Sequence, residues 1–203
     1  MSSFYEIHAT DFSKSRFRIW RLVREFLDSL PSNSKVLDIG CGNGKNMLYG
    51  AQRHNMLGLE DSKALCDICI SRGLNVIQGS ALTLPFADNS FDAIIMIAVI
   101  HHIDPSQHHI ILNEIKRVLR PEGKCLITNW ATEQPNNSKR SFTTGLNLVT
   151  WKGKDDEPLP YWIMDKHLAE KFTQELPNGI KCLNLELDQG NWNVLLQKAP
   201  KTN

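Results

Sequence analysis

Long apolar runs are the clearest thing this chain lacks: nowhere in its 203 residues does one approach the ~20 residues that a membrane span needs. The opening "MSSFYEIHATDF" also lacks the charged-then-apolar layout of a secretory signal. A cytoplasmic protein is therefore expected, with the nucleus also open to it. Cysteine is sparse, and Cys41, Cys66, Cys69, Cys125 and Cys182 are odd in number and scattered, which argues for reduced thiols over a disulfide framework. The one CxxC, "CDIC", has no second pair and sits in a helical pattern, so zinc is not expected there. Charge of one sign is missing too, since 23 basic and 22 acidic residues leave a net charge of +1. What matters is how the charge is distributed. "SKSRFRIWRLVR" carries Lys14, Arg16, Arg18, Arg21 and Arg24 without one acid. Repeats and low-complexity tracts are absent.

What is present alternates. With 41% hydrophobic residues, the chain can build one domain over residues 1–203. Trp20, Val23, Phe26, Leu27 and Leu30 recur at helical spacing, which predicts a helix over about 16–30, inside a basic region 12–30, stopped by Pro31. "KVLDIG" reads as a buried strand running into a glycine turn and a helix to about Arg53. "NMLGLE" is a second strand, "SKALCDICISRG" a second helix and "NVIQG" a short third strand. "FDAIIMIAVI" has the near-continuous Ile and Val content of a central parallel strand covered on both faces. Asp104 and Pro105 start a helix to about Leu119, and "RPEGK" turns into the strand "CLITNW". A helix near Asp165 to Leu176 precedes "IKCLNLEL" and "NWNVLLQK", which flank "DQGN" as a hairpin. The expected fold is α/β, a doubly wound, mostly parallel seven-stranded sheet with an antiparallel last strand, as in class I methyltransferases. The polar segment 131–164 is too long for a plain connection, and its place after strand five sets it over the strand ends, on the substrate side.

The chemistry begins at "VLDIGCGNGKN", which sets Asp38 at a strand end before Gly40, Cys41, Gly42 and Gly44. Glycines at alternate positions permit a sharp turn and close approach to a ligand. The spacing is GxGxG, with Lys45 where the dinucleotide pattern GxGxxG places its last glycine. A pyrophosphate would rely on the helix N-terminus. The cationic ammonium and sulfonium of S-adenosylmethionine instead favour a nearby acid such as Asp38. Glu60 can accept both ribose hydroxyls, with Asp61 as its neighbouring competitor. Ser80, Ala81 and Leu82 would flank the adenine, and Ala98 at the end of strand four completes the candidate cofactor set. Ser80 stands where methyltransferases commonly carry Asp.

"FSKSRFRIW", "DIGCGNGKN", "IAVIHHI", "VLRPEGKCLI", "NWATEQ" and "NWNVLLQK" span nearly the whole chain. Together they resemble the eukaryotic tRNA wobble-uridine methyltransferases that esterify 5-carboxymethyluridine, a family that also supplies the methyltransferase domain of an AlkB-homologue fusion. Departures are Ser80, His108 and His109 where the family usually has arginines, and a compact segment between Gln134 and Trp162. The resemblance implies S-adenosylmethionine as cofactor, tRNA as substrate and a small zinc-binding activator subunit. That subunit would add a strand beside strand three, whose short edge invites it. It also implies that Arg16 holds the substrate carboxylate while His101 and Trp130 wall the base. Glu133 and Gln134 then order the loop or read the uracil edge.

Four of the seven histidines crowd into "IAVIHHIDPSQHH". His108 and His109 lie past a proline turn and point about 100° apart on one helix, so the four cannot converge on a metal. They read as packed or solvated imidazoles. His101 ends strand four beside the cofactor, and His102, as its strand neighbour, should face the other way. tRNA phosphates would meet the 14–24 segment and a second cluster of Lys139, Arg140, Lys152 and Lys154. Two rival readings share the cofactor motifs: a small-molecule methyltransferase, which does not need the basic segment, and a silent binding module.

Overall fold

The computed structural model of the chain describes residues 2–151 and 154–201. Its strands are β1 (Lys35–Ile39), β2 (Asn55–Glu60), β3 (Val76–Gln78), β4 (Phe91–Ile97), β5 (Leu119–Trp130), β6 (Gly145–Trp151), β7 (Lys154–Ile163), β8 (Ile180–Asp188) and β9 (Asn191–Lys198). Seven of them form one sheet in the order β3-β2-β1-β4-β5-β9-β8, with β9 antiparallel to both of its neighbours. The predicted hairpin turn is present, with Gln189 and Gly190 both at positive φ (48° and 74°).

Period-two alternation explains why the central strands are apolar throughout. On β1 and β4, Leu37, Ile39, Ile94 and Met96 face one core with Ile111 and Ile115 of α5 (His108–Val118) and Phe172 of α6 (Lys166–Gln174). Val36, Ala93, Ile95 and Ile97 face the other. They pack there with Leu27 of α2 (Arg21–Ser29), Met47 of α3 (Lys45–Gly50) and Cys69 of α4 (Lys63–Ser71).

The structure corrects the sequence reading in three places. The amino-terminal helix is α1 (Ser2–Ser15), which was not anticipated, and α2 starts only at Arg21. Residues between them belong to no regular element, so the apolar spacing from Trp20 belongs to a shorter helix than 16–30. His101 and His102 do not end a strand. β4 stops at Ile97, Ala98 turns with φ at 57°, and Ile100–His102 form a 3-10 turn that brings both imidazoles to one side. The 131–164 segment contains an antiparallel pair, β6 with β7, beyond the end of β5. A third apolar cluster lies beneath it, built from Phe4 of α1, Trp130, Leu159, Tyr161 and Ile163.

Candidate active site

A cavity of about 360 Å³ opens where the carboxyl ends of β1, β2 and β4 meet α1 and the β6–β7 pair. Its size falls within the range of about 300–1,000 Å³ usual for small-molecule sites. The glycine turn forms one wall. Gly40 has φ at 66°, and a Cβ there would sit 2.5 Å from a methyl of Val99, so both conformation and space demand glycine. Gly40 and Gly42 line the cavity with Cys41 between them, whereas Gly44 lies outside it, at the left-handed N-cap of α3 against Leu74. The third glycine shapes the turn rather than the cavity.

Glu60 reaches the cavity from the end of β2 and is 9% exposed. One carboxylate oxygen accepts the amide of Gly42 at 2.8 Å and the other that of Ser62 at 3.0 Å, which ties the two strand-end turns together. A carboxylate has lone pairs left for hydroxyl donors. Ser80, Ala81 and Leu82 form the opposite wall, with the Ser80 hydroxyl accepting the Leu82 amide at 3.2 Å. Ala98 lines the floor, its amide donated to Thr128 Oγ1 at 2.8 Å.

Asp38 does not reach the cavity surface. It is 1% exposed behind the turn, and neither oxygen makes a well-formed hydrogen bond among the described residues. Burial pushes its pKa up to about 8, with the Glu60 charge adding to the rise and Lys45 and Asn46 opposing it. An orphaned buried carboxyl beside a second acid is incomplete without a cation. The residues therefore fit a ligand carrying positive charge.

The other wall is aromatic and comes from distant parts of the chain. Tyr5 and Phe12 of α1, Arg16 after it, His101, His102 and Tyr161 of β7 line it together. Tyr5 Oη and His102 Nε2 share a 3.0 Å hydrogen bond, and the Tyr161 ring stacks on His101 at 4.8 Å. Burial, with His102 beside it, holds His101 well below the usual imidazole range, and burial takes His102 down to about 4. Both rings are neutral at pH 7. Burial raises the Tyr5 and Tyr161 phenols, so both keep their protons and serve as donors. Arg16 lies over Trp151, its guanidinium 5.2 Å from the ring centroid, and supplies the cation of this wall.

Trp130 is near but set back. It stacks on Tyr161 at 4.7 Å and on Phe142 at 5.5 Å, with the Arg140 guanidinium 4.3 Å above its ring, and does not line the cavity. Glu133 and Gln134 are also outside. Glu133 accepts from Trp192 Nε1 and from the Lys166 amide at the start of α6, and Gln134 donates to the carbonyls of Ala131 and Gly190. Of their two candidate roles, ordering the loop is the one seen. His108 is buried against Phe172 with Nε2 3.1 Å from the Ile103 carbonyl. Among the described residues, no three His, Cys, Asp or Glu side chains group as metal ligands. Lys152 and the Lys154 side chain lie outside the described residues. Sequence reasoning missed Tyr5, Phe12 and Tyr161. The first two belong to a Phe4, Tyr5, His8, Ala9, Phe12 stripe at three- and four-residue spacing, a helical signal diluted by serines and a threonine.

One antiparallel strand slotted second from the edge, and a crevice over the strand ends shaped for a cationic nucleoside, are marks of the methyltransferases that use S-adenosylmethionine. A family model described as a methyltransferase domain matches residues 37–127. The tRNA (carboxymethyluridine(34)-5-O)-methyltransferase ALKBH8 of Macaca fascicularis is 44% identical over 138 residues, covering 68% of this chain and 21% of that protein. A putative methyltransferase of Encephalitozoon cuniculi is 34% identical over 203 residues, covering 96% of this chain and 93% of that one. The chain belongs to the methyltransferase family that includes both of these relatives. It spans between 21% and 38% of the length of the first four curated relatives it matches. Among solved structures, a chain from the complex between the Haloferax volcanii Trm112 methyltransferase activator and the putative methyltransferase has the same fold. Its TM-score is 0.70 at 16% identity, over 97% of this chain and 98% of that chain.

Proposed function

We propose that this protein transfers a methyl group from S-adenosylmethionine to the carboxylate of 5-carboxymethyluridine at the tRNA wobble position, forming the methyl ester. The observation that carries the reading is the meeting of two unlike walls in one cavity. One holds acids for a cationic cofactor, and the other holds an arginine and two protonated phenols for an anionic substrate. When bound, the cofactor supplies a methyl group on sulfonium, which a carboxylate oxygen accepts as the carbon–sulfur bond breaks. The substrate acid is ionised at neutral pH, so no proton has to be removed.

That chemistry assigns roles of positioning. Glu60 takes the ribose hydroxyls, Asp38 favours the cofactor's positive charge from beneath the turn without touching it, and Ser80, Ala81 and Leu82 flank the adenine. Arg16 and the Tyr161 hydroxyl hold the carboxylate, and the neutral His101 presents a ring face without competing for its charge. Exclusion of water by α1 and the β6–β7 pair strengthens every one of these contacts. Trp130 supports the wall by stacking behind Tyr161. Lys14 and Arg18 supply phosphate contacts. Arg21 does not share that task, since Glu25, Glu186 and Asp188 already pair with it. A small activator subunit adds to the β3 edge, where Ile77 is exposed and the strand is three residues long. The solved activator complex of the same fold supports that partner.

Nucleoside mass analysis of tRNA from cells lacking this protein tests the reading. The wobble ester should vanish and its free acid accumulate, and restoring the gene should reverse both. Unchanged ester levels would end the proposal. Full activity of the purified, monodisperse chain alone would remove the activator from it.

A further inference from the structure

Between α1 and α2 the chain forms neither helix nor strand. Arg16 turns into the cavity, and Phe17 points out with 72% of its surface exposed, the most of any large apolar residue described. The segment is pinned in place. The Asn43 amide donates to the Ser13 carbonyl at 3.2 Å and to the Arg16 carbonyl at 2.7 Å, while Arg72 donates to Ser13 Oγ at 2.8 Å and to the Asn43 carbonyl at 2.6 Å. The backbone leading into Phe17 is thus tied to the glycine turn.

Its surroundings are cationic. The Arg18 guanidinium lies 5.8 Å from the Phe17 ring centroid, and among the described residues neither Arg18 nor Lys14 is ion-paired, unlike Arg21. A lone exposed apolar side chain is ordinary. An exposed aromatic face on an anchored backbone, next to unpaired cations and beside the mouth of a nucleoside site, has the composition that binds single-stranded nucleic acid, with bases on the ring and phosphates on the charges.

The geometry points to Phe17 as a stacking platform for an unpaired nucleobase adjoining the modified nucleotide, with Lys14 and Arg18 contacting the flanking phosphates. This rests on the RNA-directed reading of the cavity, and it adds a subsite outside that cavity. Binding energy from such a subsite holds the RNA equally in ground and transition states, so it appears in KM and not in kcat.

The test compares Phe17→Ala, Phe17→Leu and Phe17→Trp on a stem-loop RNA carrying the acid, using the protein with whatever activator it requires. For Ala and Leu, KM for RNA should rise about tenfold, the usual scale for losing one base–aromatic stack, with kcat and cofactor affinity unchanged. Phe17→Trp should keep wild-type KM, and RNA should quench its fluorescence more than that of the wild type, which carries five tryptophans of its own. A wild-type KM for Ala or Leu, or quenching of the Trp variant no greater than that of the wild type, overturns the platform. So does sedimentation showing that wild-type chains self-associate and Phe17→Ala chains do not, since Phe17 is then a protein contact. If the wild type methylates no RNA, the functional reading fails, and RNA quenching of the F17W variant still decides the platform separately.

Discussion

The two walls of the cavity are built in opposite ways. The cofactor wall comes from the ends of β1, β2 and β4 and the turns after β1 and β3, each presenting a few consecutive residues on a scaffold buried on both faces. The substrate wall joins residues from position 5 to position 161, brought together by α1, a 3-10 turn and the β6–β7 pair. The first can be read as short motifs because its geometry is local. The second has no local signature, because its hydrogen bonds link residues up to 97 positions apart and its ring contacts reach further still, from Tyr5 to Trp151. On the proposed reading, cofactor binding is a property of the sheet, and substrate choice is left to elements packed over it.

If the walls are separable, removing a carboxylate from one should leave the other working. Glu60→Ala strips the acceptor from the Gly42 and Ser62 amides, and cofactor affinity measured by calorimetry should fall about a hundredfold, the scale of losing two charged hydrogen bonds. Arg16→Ala should reverse the pattern. Its kcat/KM on tRNA should drop about a hundredfold, as expected for a charge pairing with the substrate, while cofactor affinity stays within about twofold. Loss of cofactor binding in Arg16→Ala would show that the walls form one unit. Tyr161→Phe removes one donor and should cost about fivefold in kcat/KM, close to the net worth of one hydrogen bond.

Protons sharpen the comparison further. Asp38, raised to about 8, is largely protonated at pH 7, and a bound cation favours its ionised form. Cofactor binding at pH 7 should therefore release up to one proton, seen as an enthalpy that varies with buffer ionisation heat, and Asp38→Asn should abolish it. The substrate wall should show the contrary. With His102 near 4 and His101 well below its usual range, kcat should carry no ionisation near pH 6.5. Because both imidazoles are depressed on folding, the stability they confer is present above about 6.5 and is lost as pH falls below it. Asp38, raised on folding, has the opposite sign and adds stability as pH falls from 8, so melting temperature should drop more steeply between pH 7 and 5 in Asp38→Asn than in the wild type.

The order of the strands, the glycine turn, Glu60 and the Ser80–Leu82 wall were legible because each depends on a few neighbouring residues. Asp38 was legible as a strand-end acid, but its burial beneath the turn, out of the cavity lining, was not. Glu133 and Gln134 look like substrate groups in the motif "NWATEQ", yet they tie β5 to α6 and to the β8–β9 turn. A motif can be as particular for scaffolding as for chemistry. Tyr161 was not legible, because only the pairing of β6 with β7 brings it to His101. The basic segment was legible as charge, but the ion pairs of Arg21 with β8 were not.

The central claim is that the accepting atom is a carboxylate oxygen, and the stability of the product bond tests it most directly. tRNA bearing the wobble acid, incubated with the protein and methyl-labelled cofactor, should acquire label that mild alkali releases entirely as methanol. Label that survives alkali, on a ring nitrogen, a carbon or a ribose oxygen, would contradict the account.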